Sequence, residues 1–513
     1  MNMGNGTRES IYPLYKRVGL VLGPIAFLLV WLLPTPAGLT AEAHRVGAIG
    51  ALMALWWITE AIPIAATSLI PLALFPAMGV LSGGDTAAAY GDTTIFLFAG
   101  GFFIAMAMEK WGLHERIVLH ILGHTGANLN RLLLGFMVAS ASISLWVSNT
   151  ATMLMMLPLT LAVITHLEQV SEKERIAPFA TALLLGIAYA SSIGGVGTLI
   201  GTAPNIILAG QYKKLFPDAP PIGFLQWMLI GIPFAVFFVV VTWLLLSRVL
   251  FTFPKLPETR TLHNLIADRL RKLGPMRPGE KVVLIIAVTT ALGWIFRQPI
   301  KLGSHTLHGW SELLPQPDFV QDGTLAIFAA LLLFVIPINL KKGEFALDWN
   351  WAVKIPWGIL LLFGGGLALA KGLGDTGFMT WLSDRMRVFS GCPAWALIAA
   401  ICAIITFATE ITSNTAIATI SLPLLAGLAI QVQVHPLALM IPATISASCA
   451  FMLPVATPPN AIAFSSGHLT IPQMARTGFL LNLIGIVLVT LLILLLGAPM
   501  FQIGWGTMPP WTQ

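Results

Sequence analysis

Two short polar strings interrupt an otherwise apolar chain. Ser148-Asn149-Thr150 and Ser413-Asn414-Thr415 stand 265 positions apart, each inside an apolar segment. Ser144 to Thr152 offers several oxygens beside Leu145, Trp146 and Val147, and the stretch Thr406 to Thr419 repeats the pattern with Thr409, Thr412, Ser413, Asn414 and Thr415. Hydroxyls, amide oxygens and unwound carbonyls are the neutral ligands that suit a hard monovalent cation. An asparagine presents an oxygen to a cation and an NH2 group to an anion, so one Asn can bridge the two. A second pair of strings follows in the same order. Gly201-Thr202-Ala203-Pro204-Asn205 returns as Ala456-Thr457-Pro458-Pro459-Asn460, 255 positions on. Proline lacks an N–H and interrupts a helix, so these strings mark breaks. Helices resuming at Asn205 and Asn460 would point their free N–H groups and positive dipole ends at the break, where an anion is favoured. None of the four strings contains Lys or Arg. A dianion held there needs bound cations, because an uncompensated buried charge is very costly. Coupling to more than one sodium ion is the expectation.

A single Ser or Thr in a membrane helix commonly bonds its own backbone or a neighbouring helix. The pairing at a fixed spacing is what lifts these strings above that reading, since transporters built from repeats place their sites at broken helices near the midplane. A third pair, Phe98-Ala99-Gly100-Gly101-Phe102 and Phe363-Gly364-Gly365-Gly366-Leu367, is again 265 positions apart. It lacks the strand, the Lys and the spacing of a phosphate loop, and reads as close helix packing. Glu60 and Glu410 are acids within apolar segments, and such residues are functional candidates by default. Glu410 reads as a structural hydrogen-bonding residue, with proton coupling as the sharper alternative. The histidines show no metal spacing, and His114, His120 and His124 read as surface residues.

The elements that must carry these strings follow from composition. The chain has 513 residues, of which 57% are hydrophobic and 10% charged; a soluble domain carries about a quarter charged residues. Val18–Leu33, Phe224–Phe251, Val282–Phe296, Leu325–Leu340 and Phe479–Leu496 are apolar runs close to the roughly 20 residues a spanning helix needs. Lipid admits only helices or closed barrels, and the two-residue alternation of barrel strands is absent. An all-α polytopic membrane protein is the fold class. The first run follows Lys16 and Arg17 and shows no small-residue cleavage site, so it reads as the first membrane helix. The three cysteines lie in or beside apolar segments, which argues against a disulfide framework. The net charge of +6 reflects basic cytoplasmic loops rather than a nucleic-acid partner. The paired strings divide the chain into a cytoplasmic N-terminus 1–17, a first repeat 18–251, a basic cytoplasmic linker 252–280, a second repeat 281–496 and a C-terminal tail 497–513. The distribution of Lys and Arg favours an inverted pair of repeats, with the N-terminus inside and the C-terminus outside.

Three stretches carry a family resemblance. They are Trp56-Trp57-Ile58-Thr59-Glu60-Ala61-Ile62-Pro63, Ser413-Asn414-Thr415 with its twin, and Ser448-Cys449-Ala450-Phe451-Met452-Leu453-Pro454-Val455-Ala456-Thr457-Pro458-Pro459-Asn460. With them the chain resembles the divalent anion:sodium symporter family, the INDY-like dicarboxylate transporters, over nearly its whole length. The resemblance implies about eleven membrane helices with two re-entrant helix hairpins, scaffold and transport domains, and a homodimer in the inner membrane that works by an elevator-like motion. It implies a first sodium held by Ser144, Ser148, Asn149 and the Gly201 backbone. A second would be held by Thr409, Thr412, Asn414 and the Ala456 backbone. The substrate carboxylates would meet Asn149, Thr150, Asn414, Thr415, Thr202, Thr457 and Pro458. Val147 stands where Thr412 does, and Gly201 where Ala456 does, so the two ion sites need not be equivalent. The segment 297–322 is longer than such a loop requires.

The substrate expected is a small dicarboxylate such as succinate, fumarate or malate, with citrate, sulfate and sodium-independent exchange as alternatives. A membrane-embedded enzyme would need a nucleophile with its base, or paired acids; Ser148 and Ser413 have no His nearby, and Glu60 and Glu410 no paired acid. A channel would not require duplicated anion-binding helix breaks.

Overall fold

The computed structural model describes residues 12–125, 128–254, 260–302, 305–386, 391–504 and 508–512. Residues 1–11 of the expected N-terminal segment and Lys255 of the basic linker lie outside that set. Among the described residues nine helices are long and apolar enough to cross a membrane. Shorter apolar helices such as Leu129–Ser144, Asp322–Val335, Ala394–Ala408 and Pro436–Ala447 accompany them. Strands are confined to two small antiparallel ribbons, Ile300–Leu302 with His305–Leu307 and Pro337–Asn339 with Glu344–Phe345. The protein is a polytopic α-helical membrane protein.

Burial sorts the spans. Leu14–Leu32 is 11% buried, as a helix at the lipid-facing edge would be, whereas Lys173–Gly195 is 89% buried and sits at the centre. Lys173–Gly195 packs on Leu129–Ser144 and Asn149–Val170, and Thr93–Trp111 packs on Asp322–Val335. Small residues permit the closest approaches, as expected where apolar helices meet in lipid. A Cβ on Gly100 would stand 2.6 Å from the Ala326 backbone, and one on Gly365 would stand 2.5 Å from the Ser68 carbonyl. The two glycine motifs therefore serve packing, as the sequence indicated.

Elements recur at the spacing of the motifs. Thr93–Trp111 and Trp357–Asp375 are both 19 residues long and start 264 positions apart. Leu129–Ser144 and Ala394–Ala408, then Asn149–Val170 and Asn414–Gln431, start 265 positions apart. Ala203–Leu215 and Pro458–Ser465 start 255 positions apart.

Three boundaries differ from expectation. The run Leu325–Leu340 does not stay helical: the helix Asp322–Val335 ends before Pro337, which opens a short strand, because proline cannot continue the hydrogen-bond ladder. The span expected from 281 begins at Pro278, with proline in the first turn where its missing N–H is harmless. The linker is not irregular throughout. Arg260–Leu273 is a helix, whose Ile266 is buried while Asp268, Arg271 and Lys272 face solvent. It packs on Leu113–Gly123, where His114 is half-buried while His120 and His124 are exposed. The long segment 297–322 is closed by Arg297, whose Nε donates to Asp322 Oδ1 at 2.6 Å and whose Nη1 donates to the Val320 carbonyl at 3.0 Å.

Arg116 pins the linker. Its guanidinium pairs with Glu280 and donates to the Gly274 carbonyl at 2.9 Å, and the two charged residues are only 7% and 4% exposed. Removing one member of such a pair strands the other and costs about 3–5 kcal/mol. Arg116→Met is expected to lower the melting temperature of the purified protein markedly, and the double change Arg116→Met/Glu280→Leu to recover most of the loss in the same thermal scan.

Candidate functional site

Four helices begin at one cavity. Asn149–Val170 and Asn414–Gln431 start after the short turns 145–148 and 409–413 of two helix–turn–helix hairpins; Ser148 caps the first by accepting from the Ala151 N–H, whereas Ser413 holds the N-cap position of the second without a side-chain bond. Ala203–Leu215 and Pro458–Ser465 restart after unwound segments, with Thr202 and Thr457 as extended N-cap residues at φ −142° and −139°. Each start leaves backbone N–H groups without helical partners and a partial positive charge at the helix end. The cavity between them has a volume of about 910 Å³. Such a convergence of N-termini is a ready site for carboxylate oxygens.

The expected substrate residues Asn149, Thr150, Thr202, Asn414, Thr415, Thr457 and Pro458 all line this cavity. So do Ser148, Gly201, Thr412 and Ala456 of the expected ion ligands. Ser144 and Thr409 stand just behind, fully buried. Their hydroxyls make equivalent bonds in the two halves: Ser144 Oγ donates to Asn149 Oδ1 at 2.7 Å, and Thr409 Oγ1 to Asn414 Oδ1 at 2.6 Å. With each amide oxygen turned back into its own hairpin, the NH2 groups of Asn149 and Asn414 are left for an anion.

Asn205 and Asn460 do not begin their helices; each is the third residue, after Ala203-Pro204 and Pro458-Pro459. Proline occupies the first turn without losing a hydrogen bond, so the helix starts two residues earlier than expected. The two side chains are fully buried and staple the unwound loops. Asn205 Nδ2 donates to the carbonyls of Gly195 and Thr198 at 3.2 and 2.7 Å, and Asn460 Nδ2 to those of Ala450 and Leu453 at 3.2 and 3.1 Å.

In the first half, neutral oxygens converge around two glycines. A Cβ on Gly195 would meet Asn149 Oδ1 at 2.5 Å and the Gly201 carbonyl at 3.1 Å, and one on Gly201 would meet the carbonyls of Gly195 at 2.5 Å and Ser144 at 2.9 Å. Together with Ser144 Oγ these make a nest of uncharged oxygens suited to a hard monovalent cation. Gly195 was not among the expected residues; Gly194-Gly195, shortly before the Gly201-Thr202-Ala203-Pro204-Asn205 string, is its only trace in the sequence. In the second half Thr409 Oγ1 also lies 3.0 Å from the Ala447 carbonyl, and Thr412 Oγ1 donates to Ala408 at 2.8 Å.

The two acids part company. Glu410 is 3% exposed and accepts from the backbone N–H groups of Phe451, Met452 and Leu453 at 2.7, 2.9 and 3.1 Å and from Asn482 Nδ2 at 2.7 Å. It thereby organises the unwound segment that leads to Ala456 and Thr457. Leu145, its counterpart, has no such side chain, and Thr198 Oγ1 instead donates to the Leu145 carbonyl at 2.5 Å. Glu60 lines the cavity and pairs with Lys16 at 3.0 Å. Ile58, Phe98, Phe102 and Ile359 give the same cavity an apolar stretch of wall. Among the described residues no three His, Cys, Asp or Glu side chains gather as a metal cluster.

The oxygen nest leaves no room for a methyl group. Gly195→Ala is expected to weaken cation binding at the first hairpin by at least about tenfold, through lost or displaced oxygens. A ligand that binds only the folded state raises thermal stability in proportion to its affinity; the sodium-dependent rise in melting temperature should therefore need higher sodium in Gly195→Ala than in the unmodified protein.

The chain is similar to known proteins. The model of the sodium:sulfate symporter transmembrane region matches residues 15–503. The sodium-dependent dicarboxylate transporter SdcS of Staphylococcus saprophyticus is 43% identical over 511 residues, covering 98% of this chain and 95% of that protein. SdcS of Staphylococcus aureus (strain bovine RF122 / ET3-1) is 46% identical over 483 residues, covering 93% and 90%. Among solved structures, the YdaH transporter of Alcanivorax borkumensis superposes with a TM-score of 0.55 at 14% identity, covering 95% of this chain and 98% of that one. MtrF of Neisseria gonorrhoeae superposes with a TM-score of 0.52 at 12% identity, covering 97% and 98%. These two speak to the fold alone. With the family model spanning all the helices that build the cavity, the chain belongs to the sodium:sulfate symporter family.

Proposed function

We propose that this protein is a sodium-coupled importer of small dicarboxylates, with succinate, fumarate and malate as the substrate class. The observation that carries the reading is the cavity wall: four helix N-termini and two asparagine amides converge there. The four polar strings that form it contain neither Lys nor Arg. Helix dipoles and N–H groups orient two carboxylates, but each helix end offers only about half an elementary charge. Sodium ions in the oxygen groups behind Asn149 and Asn414 would supply the remaining compensation and give the coupling its physical basis. The names of the similar Staphylococcus proteins, sodium-dependent dicarboxylate transporters, support the same substrate class and ion. The names of the similar proteins and of the family model are those of transporters and symporters, in keeping with transport rather than catalysis.

Two ion sites are proposed, one with Ser144, Ser148, Asn149 and the Gly201 backbone, the other with Thr409, Thr412, Asn414 and the Ala456 backbone. Symport in the inner membrane would follow an elevator motion of the hairpins and broken helices against the long helices that carry Phe98, Phe102 and Ile359. The apolar character of that wall supports such sliding, since it offers the substrate no competing polar partners. The recurrence of elements at 264–265 and 255 positions supports two repeats. Their inversion, a homodimeric assembly, a cytoplasmic N-terminus and an external C-terminus complete the proposal, with the Lys and Arg distribution as support for the orientation.

Uptake of labelled succinate into proteoliposomes tests the function. An inward sodium gradient should drive accumulation, and Asn149→Ala and Asn414→Ala should each reduce the initial rate at least about a hundredfold, as expected when a buried charge loses its hydrogen-bond partner. Uptake indifferent to sodium but requiring internal dicarboxylate would make the protein an exchanger. Uptake competed by sulfate but not by fumarate would move the substrate class to inorganic anions.

A further inference from the structure

Glu60 is the one charged residue among the described residues lining the cavity, and its charge has the same sign as the substrate proposed above. It closes the helix Ala41–Thr59 in a left-handed conformation at φ 46°, a region that residues other than glycine rarely occupy and that concentrates at functional positions. Its carboxylate lies 3.0 Å from Lys16 Nζ, with the two side chains 44% and 23% exposed. Lys16 is held at that place by several independent contacts. Its helix, Leu14–Leu32, packs along Ala41–Thr59. Trp56 Nε1 donates to the Gly19 carbonyl at 3.1 Å, and Tyr12 OH donates to the Ala61 carbonyl. Tyr15, one residue before Lys16, lines the same cavity.

We propose that Lys16 and Glu60 form a charge-matching pair at the rim of the cavity that sets its affinity for dianions. Lys16 neutralises Glu60 while the cavity is empty and turns toward a carboxylate that passes between the cavity and the face carrying the N-terminus. The partial exposure of both side chains leaves them free for this exchange, and a pair in water-accessible surroundings is weak enough to be broken by a competing anion. Glu60, Asn149 and Asn414 share the wall of one cavity, where a partly buried charge is screened much less than an exposed one. An unmatched carboxylate on its wall would therefore be felt by a dianion at the hairpin tips. This inference rests on the dicarboxylate reading of the cavity.

The test is a double-mutant cycle read as KM and maximal rate of sodium-driven succinate uptake, with expression and melting temperature recorded for every variant. Lys16→Gln exposes the bare carboxylate and is expected to raise KM about tenfold, as one unmatched charge across a partly wet cavity would, with the maximal rate within about twofold. Lys16→Arg should keep the original KM. Lys16→Gln/Glu60→Gln should return KM to within about twofold of the unmodified protein. The rise in Lys16→Gln should shrink when ionic strength is increased with choline chloride, because salt screens partly exposed charges. An unchanged KM in Lys16→Gln, or a double variant as impaired as the single one, overturns the pair's role in affinity. A fall in maximal rate and melting temperature shared by all variants, Lys16→Arg included, would make the contact structural and overturn it equally. The dicarboxylate reading is judged separately, by saturable uptake in the unmodified protein.

Discussion

A dianion cannot rest inside a membrane protein without compensating positive charge, and the polar strings around this cavity supply none from side chains. The architecture follows from meeting that constraint by other means. Helices start and stop within the protein so that four N-termini face a common cavity, and every such start leaves backbone groups that must be satisfied elsewhere. The caps at Ser148, Thr202, Ser413 and Thr457 mark where the N–H groups are freed. The amides of Asn205 and Asn460 mark where the carbonyls of the unwound loops are tied down. Polar backbone at membrane depth is tolerated because it is buried in protein or lines the cavity.

In the proposed function, the hairpin tips would join ion and substrate chemistry in one residue. Because Ser144 and Thr409 draw the amide oxygens of Asn149 and Asn414 inward, the same side chains present NH2 groups outward. A cation bound behind the amide would polarise it and strengthen its donation to a carboxylate, so ion and anion would favour one another through a shared rigid group. The halves are not identical. Glu410 threads three backbone N–H groups and an asparagine in the second half, whereas the first half uses Thr198 on the Leu145 carbonyl and two glycines whose missing side chains make room for oxygens. Two routes to one local geometry would suit the proposed ion sites being of unequal strength.

Sequence patterns exposed the repeated motifs because paired polar strings at a fixed spacing have few structural explanations, although a single Ser or Thr in an apolar helix has several. The fold class was equally plain, since hydropathy over a 513-residue chain with 10% charged residues admits little else. What stayed hidden depends on distance along the chain. Glu410 finds its partners 41 to 72 positions away, and Lys16 reaches Glu60 across 44. Nothing local signals either pairing. Gly195 carries no signal in the sequence because a glycine beside a helix end has many ordinary explanations, and only the surrounding oxygens give this one a purpose. The linker helix Arg260–Leu273 was masked by flanking prolines and a dense run of basic residues that read as loop. The early end of the helix at Val335 shows a proline overruling a continuous apolar run.

The central claim is that sodium supplies the charge that holds the dianion. Its most direct measurement is the affinity of purified protein for succinate, by isothermal titration calorimetry, across a range of sodium concentrations with choline keeping the ionic strength constant. The account predicts that the apparent Kd falls steeply as sodium rises, with a logarithmic slope approaching about −2 before saturation, since linked sites must strengthen one another. Equal succinate affinity in sodium and in choline would contradict it.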